Sequence, residues 1–110
     1  MSFYEKSVEI LQNWDKEAFR DLHHVDFLFI RETELVTLDD YIELMDKFMI
    51  EEDGARVTAV RMAQGLIHEN EYVSEIRWED GGEIVTNVFM KKDGLGWRSI
   101  VNRVPKLGAS

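Results

Sequence analysis

The order of helical and strand-like segments constrains this chain more than any single residue does. Helical patterning extends from residue 2 to about residue 50 and is interrupted by one short apolar strand. Four strand-like segments follow, at about residues 56–68, 72–79, 83–92 and 97–104. This order predicts an α+β domain, because strands joined by short turns usually pair as neighbours. We expect N-terminal helices in the concave face of a curved, mostly antiparallel sheet, with a pocket between the two layers.

Composition excludes several classes of function. A chain of 110 residues, 45% of them hydrophobic, is expected to form one domain spanning residues 1–110. A net charge of −9 disfavours nucleic acid and anionic membrane as partners, since both are bound through clustered Lys and Arg. The absence of cysteine excludes disulfides, thiolate nucleophiles and cysteine-ligated metals. No signal-peptide pattern is visible, so we expect a cytoplasmic protein.

Capping residues predict the starts of three helices. Ser2, Asp15 and Thr37 each precede an apolar pattern with helical spacing, so we expect them to be N-caps. Trp14 and Phe19 stand at hydrophobic-staple positions on either side of Asp15. Their contact would fix the bend between the first two helices.

The segment at residues 23–31 changes to a period of two, as a strand does. Its apolar residues of one parity are Val25, Phe27 and Phe29. Arg31 continues this parity, so its guanidinium is expected to aim toward the pocket, where it could bind a carboxylate or phosphate bidentately. The alternative is an arginine at a strand end that reaches water or pairs with Glu32 or Glu34.

The strand at residues 72–79 predicts an interior and an exterior face. Ser74, Ile76 and Trp78 alternate on the side that we assign to the interior. Arg77 belongs to the opposite, water-facing side, to which we also assign Arg61 of the preceding strand-like segment.

The next strand is apolar on both faces. The residues of one parity are Ile84, Val88 and Met90, and those of the other are Val85 and Phe89. A strand that is apolar on both faces is covered on both faces. One cover is the helical layer, and we expect the other to be a second copy, in a two-fold homodimer through the sheet. The alternative is that a few surface apolar groups are simply tolerated.

Several polar or amphipathic side chains are candidates for the pocket lining. Asn87 lies in a strongly apolar strand, and a buried asparagine must find partners, either on a ligand or in a structural or dimer network. Tyr41, Trp78 and Trp14 each combine an apolar body with one polar tip, as pocket walls often do, although plain core packing uses the same residues.

The sequence contains no motif typical of a metal site, a nucleotide-binding loop or a covalent nucleophile. His23 and His24 are adjacent, so in a strand they face opposite sides and cannot chelate one metal together. No histidine and carboxylate pair has the helical spacing of a metal site. The glycines at residues 81–82 and 94–96 are typical of hairpin turns, and no serine lies in a nucleophile-elbow context. We therefore predict no metal and no cofactor.

Four segments carry a resemblance to a known superfamily: WDKEAF at residues 14–19, LHHVDFLFI at 22–30, VTLDDYIELM at 36–45 and KDGLGWR at 92–98. Together they resemble the nuclear-transport-factor-2-like superfamily, in particular its small SnoaL-like and ketosteroid-isomerase-like proteins. The resemblance implies a cone-shaped α+β barrel, usually dimeric, with a pocket between helices and sheet. Members include isomerases, dehydratases, epoxide hydrolases and polyketide cyclases, so the fold does not fix the activity.

The ketosteroid-isomerase resemblance places catalytic aspartates at two positions that differ in this chain. Its general base would fall just after the first strand, at Arg31 and Glu32, and its proton-donating aspartate would fall near Asn87. Arginine cannot abstract a proton at neutral pH, so Glu32 becomes the candidate base.

Two functions follow from the sequence. The first is a small-molecule pocket protein, with isomerase, dehydratase or cyclase chemistry if it is an enzyme, acting on a hydrophobic molecule with an anionic or carbonyl handle. Its anionic oxygen would meet Arg31 or Asn87, within walls formed by Trp14, Tyr41 and Trp78. The second is a non-catalytic homodimeric interaction domain whose pocket is vestigial.

Overall fold

The computed structural model describes residues 2–106, apart from the side chains of residues 59, 60 and 62–64. The elements of this part of the chain are, in order, α1 (Phe3–Gln12), α2 (Lys16–Asp21), β1 (His23–Arg31), β2 (Glu34–Thr37), α3 (Leu38–Glu51), α4 (Gly54–Gln64), β3 (Leu66–Glu69), β4 (Val73–Asp80), β5 (Glu83–Lys92) and β6 (Leu95–Pro105). Among residues 2–106, no helix combines the length and apolar character that crossing a membrane requires.

The six strands form one curved, open sheet in the order β2-β1-β6-β5-β4-β3. β1 and β6 are parallel, and all other neighbours are antiparallel. The helices pack on the concave face, with α3 against β1 and α4 against both α1 and β4. The predicted α+β arrangement of N-terminal helices in a curved, mostly antiparallel sheet is therefore confirmed.

The predicted helix starts are confirmed, with one difference in detail. Ser2 and Asp15 accept hydrogen bonds from amides in the first turns of α1 and α2. The Trp14 and Phe19 rings pack with centroids 5.1 Å apart, as the staple predicts. Thr37 is the N-cap of α3 by position, but its side chain makes no capping hydrogen bond.

The strand predicted at residues 56–68 is wrong over most of its length. A helix, α4, occupies Gly54–Gln64, and only Leu66–Glu69 is a strand. Alanine, arginine and glutamine are good helix formers, and a short apolar segment can satisfy either periodicity. Contacts with α1 and β4 then favour the helix. The four-residue edge strand β2, which precedes α3, was not predicted.

Gly65 permits a close approach between two backbones where α4 ends. Its carbonyl oxygen accepts a hydrogen bond from the Arg77 amide of β4 at 2.8 Å. A Cβ atom on residue 65 would lie 1.9 Å from the Arg77 carbonyl oxygen, which excludes any other residue without a backbone shift. This contact places the end of α4 against β4, the strand next to the β3 edge of the sheet.

Two apolar clusters fill the space between the helices and the sheet. The larger contains Leu11, Phe19, Phe27, Val36, Tyr41, Ile42 and Met49. The smaller contains Ile76, Trp78 and Val85 on the far strands. Ser74, Ile76 and Trp78 are all buried, so the predicted inner face of β4 is confirmed.

Candidate functional site

A cavity of about 260 Å³ lies between the helices and the concave face, lined by members of both apolar clusters. Its apolar and aromatic lining is Leu11, Phe29, Tyr41, Met45, Phe48, Ile76, Trp78, Phe89 and Val101. Its polar lining is Arg31, Thr58, Arg61, Asn87 and Arg103. None of these described lining residues is acidic.

The register of the sheet explains why these side chains meet. Asn87 of β5 pairs with Ile76 of β4 and with Val101 of β6. Val101 in turn aligns with Arg31 of β1. Residues paired across neighbouring strands point to the same face, so these four side chains form one row across the cavity.

The next row lies two residues nearer the β4–β5 turn. Trp78 pairs with Val85, and Val85 pairs with Arg103. Arg103 was not singled out from the sequence, although it shares the parity of Val101 on β6. That shared parity is the signal that could have identified it.

Four of the six predicted site residues line this cavity: Arg31, Tyr41, Trp78 and Asn87. Glu32 does not. It is exposed in the turn between β1 and β2, with a φ of 57°, because the residue after Arg31 leaves the strand. Trp14 does not line it either, since its Nε1 donates to Asp46 at 2.9 Å on the outer side of the larger cluster.

Asn87 is 7% exposed, and its partners fix the orientation of its amide. Nδ2 donates to the Ser99 hydroxyl at 2.9 Å and to the Ile100 carbonyl oxygen at 3.2 Å. A carbonyl oxygen can only accept, so the nitrogen must be the atom that faces Ile100. Both amide hydrogens are therefore used, and Oδ1 accepts no hydrogen bond from the described residues. Asn87 thus offers the cavity an acceptor, where the sequence had predicted a donor to an anionic oxygen.

Three arginines line the cavity and are paired with carboxylates that do not. Arg31 contacts Glu34 at 3.1 Å. Arg103 contacts Asp80 at 3.1 Å, and Arg61 lies 3.8 Å from the same carboxylate oxygen. All these side chains are between one third and about half exposed, and such pairs contribute only ~0–1 kcal/mol each. A further anion could therefore compete for the guanidiniums at low energetic cost.

Contacts with two aromatic rings hold the Arg61 guanidinium at the edge of the cavity. Its guanidinium carbon is 5.5 Å from the Trp78 ring centroid and 5.8 Å from the Phe48 centroid. Cation–π attraction at these distances restrains the long side chain. The sequence had assigned Arg61 to the water-facing side of a strand, and this is wrong because α4 is a helix.

Two polar atoms of β4 are buried without a partner in the described part of the chain, and one of them belongs to Trp78 of the cavity lining. Among the described residues, Trp78 Nε1 and Ser74 Oγ are buried and form no hydrogen bond. Each such group costs ~1–3 kcal/mol relative to a satisfied one. Unsatisfied polar groups are uncommon in cores and are frequent where function requires them.

Solved structures with the same architecture can be compared with this geometry. An NTF-2-like protein of unknown function from Burkholderia xenovorans LB400 aligns over 98% of this chain and 84% of its own, with a TM-score of 0.58 and 10% identity. The chain has the nuclear-transport-factor-2-like fold. AclR from Streptomyces galilaeus, proposed to be a hydroxylase, aligns over 92% and 75% of the two chains, with a TM-score of 0.60 and 12% identity. An LEH-like epoxide hydrolase from M. tuberculosis aligns over 93% and 80%, with a TM-score of 0.52 and 15% identity.

Sequence comparison adds nothing to this structural result. No protein-family model matches the chain, and no curated protein matches it either. At 10–15% identity the structural neighbours establish the nuclear-transport-factor-2-like fold alone. The resemblance inferred from the sequence is thus confirmed as a fold.

The titratable groups in and near the cavity of this nuclear-transport-factor-2-like fold do not form an acid–base pair. Burial raises the pKa of Tyr41, whose ring stacks on Phe29 with centroids 4.8 Å apart, so its hydroxyl stays neutral. His23 lies in the larger cluster, outside the lining, and burial lowers its pKa to about 4. Across the described residues, no group of three or more His, Asp or Glu side chains is placed to hold a metal ion. The arrangement is suited to binding an anion beside apolar walls.

Proposed function

We propose that this protein binds a small organic anion with an apolar body in the cavity between its helices and sheet. The observation that carries the proposal is the segregation of charge: Arg31, Arg61 and Arg103 are in the lining, and every carboxylate that pairs with them lies outside it. Three of the 13 Lys and Arg residues of this chain, whose net charge is −9, are thus in a lining whose described residues include no acid. Guanidinium groups bind carboxylate and phosphate with two parallel hydrogen bonds.

The size and walls of the cavity limit the apolar body. A volume of about 260 Å³ is below the ~300–1,000 Å³ typical of sites for drug-sized molecules. At a packing density of ~0.75, the ligand's own van der Waals volume is at most roughly 200 Å³. The rings of Phe29, Tyr41 and Trp78 are part of its lining. A single aromatic ring with one carboxylate satisfies both limits.

Binding is favoured over catalysis by the same lining. Acid–base chemistry needs a group that can take a proton within hydrogen-bond reach of the reacting atom. The described lining residues include no carboxylate and no imidazole, and Glu32 is exposed in a turn outside the cavity. We therefore propose a binding protein ahead of an isomerase, dehydratase or cyclase.

Calorimetry and thermal unfolding with benzoate and with its neutral analogue benzamide test the proposal. We expect benzoate to raise the melting temperature, because it binds the native state. Benzamide should bind at least about tenfold more weakly, because it lacks the negative charge. Arg103→Gln should lose a similar factor. Arg56→Gln is the matched control, since Arg56 is exposed at the start of α4, pairs with Asp53 and is not in the lining. Equal binding of benzoate and benzamide would contradict the proposal.

A second proposal concerns the convex face of the sheet. The register aligns four apolar residues in one row across it: Leu35, Ile30, Ile100 and Val88. Leu35 is 66% exposed, and the other three are half-buried. We propose that a second copy covers this row in a two-fold homodimer, which is the interaction role that the sequence suggested.

Light scattering coupled to size-exclusion chromatography tests the dimer. We expect a mass of two chains for the wild type and of one chain for Val88→Lys, because the dimer would have to remove the lysine charge from water. Val25→Lys is the control, since Val25 is 82% exposed and lies in the part of β1 that is not aligned with this row. A monomeric wild type would refute the proposal.

A further inference from the structure

Asn87 gives the cavity a feature that binding an apolar anion does not require. Its amide nitrogen is fixed by Ser99 and by the Ile100 carbonyl oxygen, so only Oδ1 remains to interact. The residue lines the cavity in the middle of the sheet wall, between Ile76 and Val101. An apolar ligand that covered Oδ1 would remove it from water without supplying a donor, and this would weaken binding.

The position of this acceptor relative to the arginines is set by the strand geometry. Arg103 pairs with Val85, which is two residues from Asn87 along β5. Two residues of an antiparallel strand span ~7 Å. The rows of the sheet that carry Arg103 and Asn87 are therefore about one aromatic ring's length apart at the backbone. The intervening walls include the ring of Trp78.

We propose that the ligand of this cavity is a hydroxylated aromatic acid, whose hydroxyl group donates to Asn87 Oδ1 while its carboxylate is bound by the arginines. This inference rests on the proposed anion-binding function and names the ligand class within it. The ~7 Å row spacing selects a hydroxyl at the far end of the ring from the carboxylate, in the para position. With the carboxylate at Arg103, a hydroxyl next to it would remain in the row of Arg103, one row away from Asn87.

A polar group that is built to accept a hydrogen bond discriminates between ligands. The matched ligand gains a hydrogen bond, and the analogue without the donor leaves the acceptor buried and unpaired. We expect the para-hydroxylated acid to bind about 3- to 10-fold more tightly than the parent acid.

The test is isothermal titration of the wild-type protein with four acids: benzoate, 4-hydroxybenzoate, 2-hydroxybenzoate and 4-fluorobenzoate. Fluorine controls for the filling of space, since it is close in size to a hydroxyl but cannot donate. We expect only 4-hydroxybenzoate to gain affinity over benzoate. The inference is overturned if 4-fluorobenzoate gains as much, or if both hydroxylated isomers bind as benzoate does. If benzoate binds in either of these cases, the anion-binding function stands and only the ligand class is wrong. If none of the four acids binds, both proposals are wrong.

Two variants test the role of Asn87 itself. Asn87→Leu removes the acceptor and should abolish the preference for 4-hydroxybenzoate over benzoate, measured as the ratio of the two affinities in the same variant. Ser99→Ala removes one partner of the amide but leaves the Ile100 carbonyl oxygen to orient it, so the preference should persist. A preference that survives in a folded Asn87→Leu protein contradicts the assignment. The four-acid comparison in the wild type decides the question if that variant does not fold.

Discussion

Acid is expected to destabilise this protein through His23, in a pH window that the structure defines. The imidazole is 6% exposed and packs between Phe19 and Phe27, each with its ring centroid 4.6 Å away. Its Nδ1 lies 2.7 Å from the Phe19 carbonyl oxygen. Burial lowers the pKa of His23 from 6.5 to about 4, although the hydrogen bond to Phe19 opposes this change. The nearest titratable ring, Tyr41, lies 5.9 Å away and is neutral.

The size and sign of the effect follow from these pKa values. The unfolded chain binds the proton at pH 6.5 and the native state only at about pH 4, so the unfolded state is favoured as pH falls between them. The contribution to stability is complete above pH 6.5 and is lost as pH falls through 4. Since one pKa unit is ~1.36 kcal/mol, the full loss is about 3 kcal/mol, most of which has occurred by pH 4.5.

Urea unfolding at pH 7 and pH 4.5 measures this loss of stability. Two variants that lack a titratable side chain at position 23 separate it from the loss caused by protonation of the carboxylates. His23→Phe keeps an aromatic ring in the cluster, and His23→Gln keeps a donor for the Phe19 carbonyl oxygen. Both should lose about 2 kcal/mol less than the wild type between the two pH values, whatever their stability at pH 7. The reasoning is refuted if all three proteins lose the same free energy, or if NMR shows His23 titrating near pH 6.5.

Three further substitutions probe the site and the fold. Asp80→Asn removes the carboxylate that pairs with Arg61 and Arg103, and should tighten benzoate binding about threefold by calorimetry; weaker binding would show that Asp80 does not compete. Gly65→Ala should lower the free energy of urea unfolding by at least about 2 kcal/mol, because its Cβ would meet the Arg77 carbonyl oxygen; an unchanged midpoint would contradict this contact. Asp15→Ala should cost about 1 kcal/mol in the same assay through loss of the α2 cap, and no loss would show that the cap is dispensable.

The sequence by itself determined the features that depend on neighbouring residues. The cap at Asp15 and the contact between Trp14 and Phe19 involve residues at most five positions apart. The burial of Trp78 follows from the alternation of side chains along a strand. These choices could be predicted because the backbone geometry of one element fixes them.

The tertiary structure decided what depends on residues far apart in the chain. Residues 54–64 satisfy either periodicity, and their packing on α1 and β4 makes them a helix. That helix brings Arg61 to the cavity, where it meets Arg103 from the last strand and Arg31 from the first. Glu32 lies outside because the chain turns one residue after Arg31. No local pattern encodes which distant side chains share a cavity, since only the register of the sheet and the placement of the helix bring them together.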